Sequence, residues 1–97
     1  MRASAAYLRD GHAARTLVRE SDQRLVLVAL RAGAAISEHQ ASVTATVHTL
    51  SGCVRLQLPD RAATVDAGQV LVLGKGLRHD VRAERDSVFL LTLGWQG

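Results

Sequence analysis

The sequence contains one cysteine, Cys53, and one proline, Pro59. A single thiol closes no internal disulfide, so nothing in the chain asks for an oxidising compartment. No N-terminal stretch has the basic, apolar and small-residue order of a signal peptide. The longest apolar run, residues 25–30, is far short of the roughly 20 residues that cross a bilayer. The expected location is the cytoplasm, with no membrane partner. Aromatic residues are scarce as well: Tyr7, Phe89 and Trp95 make up 3% of the chain. A core therefore has to be built from Val, Leu and Ala. All of the 12 basic residues except Lys75 are arginine, and they are dispersed among the acids. No basic run reaches four residues, and no aromatics interleave with the arginines to stack bases. Nucleic-acid binding is not expected on net charge alone.

A chain of 97 residues, 47% of them hydrophobic, is one domain near the lower end of what a single core supports. The formal charge is +3 and the isoelectric point about 10.0. A domain this small exposes much of its surface, which makes self-association a route to further burial.

No stretch has the periodicity of an ordinary amphipathic helix. The pattern is instead short runs of alternating or β-branched residues separated by turn chemistry. Residues 1–15 are expected to form an N-terminal arm, with Tyr7 and Leu8 free to dock on the domain or on a partner, and residues 16–97 the folded domain. His12, next to Gly11, is expected to be a solvated loop histidine. Residues 16–20 are β-prone, and Ser21, Asp22 and Gln23 form a turn. Residues 24–31 (RLVLVALR) have no polar face and are expected to be covered on both sides. Residues 43–50 alternate, with Ala45, Val47 and Thr49 on one face and Thr46, His48 and Leu50 on the other. Ser51-Gly52 turns the chain, residues 53–58 alternate again, and Pro59-Asp60 makes a tight turn. Strands follow at 62–66, 70–73, 77–83 and 87–93. The run VLVL at 70–73 is expected to be buried, and Trp95 is expected to cap one end of the core. Such a chain forms an antiparallel sandwich or barrel.

Two glycine-punctuated blocks carry a family resemblance. In the first, Gly33 is followed after five residues by His39, and Gly52 closes the block. In the second, Gly68 is followed by Gly74, Gly76 and His79. In this spacing the chain resembles a small single-domain cupin, the double-stranded β-helix or jelly-roll barrel family, over nearly everything after residue 15. The resemblance implies an all-β barrel with a ligand or metal site in its mouth. The family commonly binds a divalent metal through three histidines and a glutamate. Here the second histidine position is Ala41, the glutamate position is Ala45, Gly74 stands for a proline, and Ala83 for an asparagine.

His39 and His79 are thus the candidate metal ligands. Two imidazoles alone would hold a divalent transition metal (Zn, Fe, Mn, Ni or Cu) weakly, since stable sites take three or four protein ligands. Gln40 is a poor substitute ligand, Glu38 should face away from His39, and His48 falls on the wrong strand parity unless a bulge brings it in. Three readings stay open. The favoured one is a binding protein, non-catalytic, holding a small polar ligand in a pocket ringed by Val, Ala and Leu with two histidines. The alternative is a metal-dependent enzyme of dioxygenase or isomerase type, with His39 and His79 as partial ligands. In the third, both histidines are structural and the pocket is vestigial. Cys53 is expected to be inert, as no basic neighbour lowers its pKa. A homodimer is expected, with the apolar strand at 25–30 and the arm as interface material.

Overall fold

The computed structural model describes residues 11–40 and 43–94, the side chains of residues 37–40 excepted. The expectations placed on Tyr7, Leu8, Ala41 and Trp95 lie outside the described residues. The described chain forms nine strands: β1 His12–Arg19, β2 Gln23–Leu30, β3 Ala35–Gln40, β4 Ala45–Ser51, β5 Cys53–Gln57, β6 Ala62–Asp66, β7 Val70–Leu73, β8 Arg78–Ala83 and β9 Ser87–Gly94. They pair antiparallel into two sheets, one ordered β1-β2-β9-β4-β7 and the other β3-β8-β5-β6. The architecture is an all-β jelly-roll barrel. Among the described residues no helix is long and apolar enough to cross a membrane.

Alternation builds the core. In β4, Ala45, Val47 and Thr49 are buried while Thr46 and His48 are half-buried. In β5, Val54 and Leu56 are buried and Arg55 and Gln57 exposed. In β8, His79, Val81 and Ala83 are buried between exposed arginines. The inward residues of the two sheets meet in one cluster that includes Val28, Leu30, Val47, Leu56, Leu73 and Phe89. Among the described residues Phe89 is the largest fully buried side chain, and branched aliphatics fill most of the rest.

Gly52 fixes the corner between β4 and β5. Its φ is +80°, a region that residues with a Cβ avoid. A Cβ there would also collide with the Asp86 carbonyl and with Ser87. The Ser87 hydroxyl accepts from the Cys53 backbone N–H at 2.9 Å and donates to the Arg85 carbonyl at 2.7 Å. The turn before β5 is thereby tied to the turn before β9.

Two sequence expectations are corrected. β1 begins at His12, so residues 12–15 belong to the barrel and not to an arm. Ala13 and Ala14 are weak strand formers, but the ladder to β2 holds them, with Ala13 opposite Ala29 and Ala14 opposite Val28. The run at 70–73 is not buried as a unit. β7 is an edge strand that pairs only with β4, and Val70 and Val72 are 55% and 62% exposed. Only Leu73 is fully buried there.

Candidate functional site

Between the two sheets lies a cavity of about 200 Å³. β1 contributes His12 and Ala14, β2 contributes Val26 and Val28, and β9 contributes Phe89 and Leu91. Ile36 of β3, Val47 of β4, and His79 and Val81 of β8 complete the lining. Eight of these side chains are apolar and two are imidazoles. Among the described residues the lining contains no carboxylate.

His79 is 3% exposed. Its Nδ1 lies 3.1 Å from the Leu77 carbonyl oxygen. A carbonyl can only accept, so Nδ1 carries the proton, and in the neutral ring the lone pair sits on Nε2. The ring is thus fixed in orientation by its own strand's entry.

His39 stands directly opposite His79 in the β3–β8 register. This pairing depends on an irregularity. Ile36 pairs with Val81, so β3 advances three residues while β8 advances two. The extra residue is a β-bulge. The side chains of Glu38, His39 and Gln40 lie outside the described residues, and at the level of the backbone Gln40 is opposite Arg78.

The remaining candidates are not brought to the cavity. His48 pairs in register with Val70 and Leu90 without a bulge. Its neighbour Val47 takes the cavity side, and His48 faces out of the five-stranded sheet, as its parity predicts. Ala45, at the family's glutamate position, is 2% exposed within the core, where a methyl group coordinates nothing. Cys53 is buried and is not among the residues that line the cavity. Burial, reinforced by the Asp66 carboxylate across the strand pair, pushes its thiol above the ordinary value of 9.0.

His12 was not expected at the site. It is an exposed residue at the start of β1, yet it lines the same cavity as His79. Its place comes from the hairpin pairing. Counted back from the Arg19–Arg24 pair, a regular ladder would set Ala13 opposite Leu30, and the bulge between Thr16 and Val18 adds one residue and brings His12 there. His12 indeed pairs with Leu30.

The described residues do not make up a metal centre. No group of three His, Cys, Asp or Glu side chains is gathered anywhere among them. Among the described residues the cavity supplies two imidazoles and no anionic ligand, fewer than the three or four ligands a stable site takes. A second depression, of about 370 Å³, lies outside the barrel against Arg55, Gln57, Asp80, Arg82 and Glu84. Four of these residues lie on the outer face of β5 and β8, an open, mixed-charge surface in which Arg82 stands between Asp80 on its own strand and Glu84 just beyond the strand's end.

No family model matches the chain, and no curated protein matches it. Solved structures do. A conserved protein of unknown function from Streptococcus pyogenes is 28% identical, with a TM-score of 0.82 over 90% of this chain and 76% of that one. A cupin superfamily protein from Desulfitobacterium hafniense is 14% identical, with a TM-score of 0.83 over 87% of this chain and 77% of that one. Salicylate 1,2-dioxygenase from Pseudoaminobacter salicylatoxidans is 16% identical, with a TM-score of 0.81 over 87% of this chain and 25% of that one. These neighbours include both an enzyme and a protein without known function. The chain has the cupin fold.

Proposed function

We propose that this small cupin barrel is a binding protein whose cavity takes a compact ligand with an apolar body and one polar group. The observation that carries the reading is the lining: eight apolar side chains and two imidazoles around about 200 Å³. Apolar cavities of about 150 Å³ accept a benzene-sized guest, so this one suits a single ring or a short branched chain. A ligand polar throughout would lose its hydration here without recovering hydrogen bonds. His79 supplies the polar contact from inside, and His12 supplies another from the rim. The ligand class expected from sequence thus narrows from polar to amphipathic. The test is saturation-transfer NMR with benzyl alcohol as the probe. Binding is expected in the wild type, and His79→Ala should weaken it by about tenfold, the worth of one hydrogen bond in a dry site. Equal binding by glycerol, which lacks an apolar body, or none by benzyl alcohol, sinks the proposal.

A second reading, the metal-dependent enzyme of dioxygenase or isomerase type, draws on one observation. The bulge in β3 sets His39 across from His79, the two positions that match the family's motifs. Against it stand Ala41 and Ala45, which remove a nitrogen and a carboxylate ligand. Elemental analysis after incubation with Zn²⁺, Fe²⁺, Mn²⁺, Ni²⁺ and Cu²⁺ separates the readings. The binding-protein reading expects well under one metal per chain. A stoichiometric metal that is lost in His39→Ala/His79→Ala would transfer the site to the enzyme reading.

A further inference from the structure

We infer that the outer face of the four-stranded sheet carries a second ligand site, and that it takes a small zwitterion, a basic amino acid with a carboxylate and a side-chain ammonium. Strand parity builds it. On β5, Arg55 and Gln57 alternate with buried Val54 and Leu56. On β8, Asp80 and Arg82 alternate with buried Val81 and Ala83. The register sets the four in two rows, Arg55 opposite Arg82 and Gln57 opposite Asp80. Glu84 donates its backbone N–H to the Cys53 carbonyl at 3.0 Å. The ladder thus runs on past the end of β8, and Glu84 begins a third row on the other side of the arginines. These five residues surround the depression of about 370 Å³.

The rows differ in what they offer. A guanidinium has donors and no acceptor, so the row of Arg55 and Arg82 is a row of donors. Like charges directly opposite one another, on Cβ atoms about 5 Å apart, destabilise a strand pair. Among the described residues neither guanidinium is bonded to a carboxylate. Asp80, two residues before Arg82, is engaged elsewhere: its Oδ1 accepts from the Gln57 backbone N–H at 3.3 Å. The Gln57 side chain is engaged as well, its Nε2 donating to the Leu58 and Arg61 carbonyls at 3.0 and 3.3 Å. What this second row has left is acceptors, the other carboxylate oxygen of Asp80 and Oε1 of Gln57.

A row of donors beside a row of acceptors complements a ligand with a carboxylate at one point and an ammonium at another. The carboxylate takes charge-assisted N–H bonds from both guanidinia and neutralises the repulsion between them. Residues on one face of a strand follow one another at roughly 7 Å. The ammonium that reaches Asp80 and Gln57 therefore sits several bonds from the carboxylate, at the end of a side chain. Glu84, beyond the arginines, is placed for the α-ammonium. The order of charge along Asp80, Arg82 and Glu84 is thus opposite in sign, group by group, to that along an extended lysine. A simple anion is a poorer guest because the two acids repel it, and a simple amine because the two arginines do. The site lies outside the barrel and shares no residue with the cavity between the sheets, so the inference stands apart from the ligand proposed there.

The test is a heteronuclear NMR titration of the full chain with L-lysine, acetate and n-butylamine in turn. Lysine is expected to move the amide signals of Arg55, Gln57 and Arg82 with a dissociation constant of about 1–10 mM, as suits exposed ion pairs. Acetate and butylamine, each with half of the contacts, should bind about fivefold more weakly or worse. Arg82→Gln and Asp80→Asn, the second of which keeps an acceptor for the Gln57 N–H, should each weaken lysine by about fivefold. His79→Ala, inside the barrel, should leave lysine binding unchanged. The amide spectrum reports whether each variant is folded, and Arg55→Gln, at an exposed position, serves if another is not. Acetate that binds as tightly as lysine makes the face an anion patch and overturns the inference. So does lysine binding that is indifferent to both Arg82→Gln and Asp80→Asn, and so does the absence of any shift at ten times the expected constant.

Discussion

Cys53 and Ser87 meet where two turns cross, and the chemistry of the thiol follows from that place. Its N–H is held by the Ser87 hydroxyl, and its side chain is buried beside Asp66. Burial comes first among the causes that raise its pKa, and the carboxylate adds to it. The folded chain therefore keeps this proton at a pH where the unfolded chain has lost it. The stabilisation is fully present below the unfolded value near 9.0 and is lost as pH rises from there through the folded value. We expect wild-type stability in urea to fall above that pH more steeply than that of Cys53→Ala, and Ellman's reagent to react slowly until the chain unfolds. A fast reaction in the native state would show that the thiol is accessible. His79 illustrates the same dependence on place. Its identity as a candidate came from the family resemblance of its glycine block, but its tautomer comes from the Leu77 carbonyl, two residues away in the chain.

At the scale of elements, the turns were the most legible feature. Pro59-Asp60 and Asp66-Ala67-Gly68 bracket β6, and its limits at Ala62–Asp66 follow from them. Gly52 is a turn whose backbone tolerates one residue type. With φ at +80° and the Asp86 carbonyl and Ser87 pressed against the missing Cβ, Gly52→Ala should cost about 2 kcal/mol or more in urea denaturation. A loss within a few tenths would mean that the corner adjusts. β1 was less legible because Ala13 and Ala14 carry no local strand preference; pairing to β2 imposes it. β7 was misjudged for the opposite reason. VLVL has the composition of a buried strand, but whether a strand is central or at an edge is decided by sheet order, which no local pattern contains.

At the scale of the molecule, the distribution of charge separates the two sheets. Arg55, Asp80 and Arg82 dress the outside of one, while Leu27, Leu90 and Val72 dress the outside of the other. The sequence pattern RLVLVALR already lacked a polar face, so an apolar outer side to residues 25–30 was legible before the sheet was known. The breadth of the apolar face was not, because it gathers β7 and β9 from far along the chain. The cavity shows the same division. The two glycine blocks placed His39 and His79 near each other, and the structure sets them in register. His12 belongs to neither block and enters through the β1–β2 hairpin, so only tertiary pairing reveals it.

The bulge in β3 has a wider meaning. Without it, the regular pairing that begins at Ile36 and Val81 would bring Glu38, not His39, opposite His79. The chemical character of that position is thus set by the register of the strand as well as by the residues encoded there. A carboxylate and an imidazole stand side by side in the sequence, and a slip of one residue exchanges them.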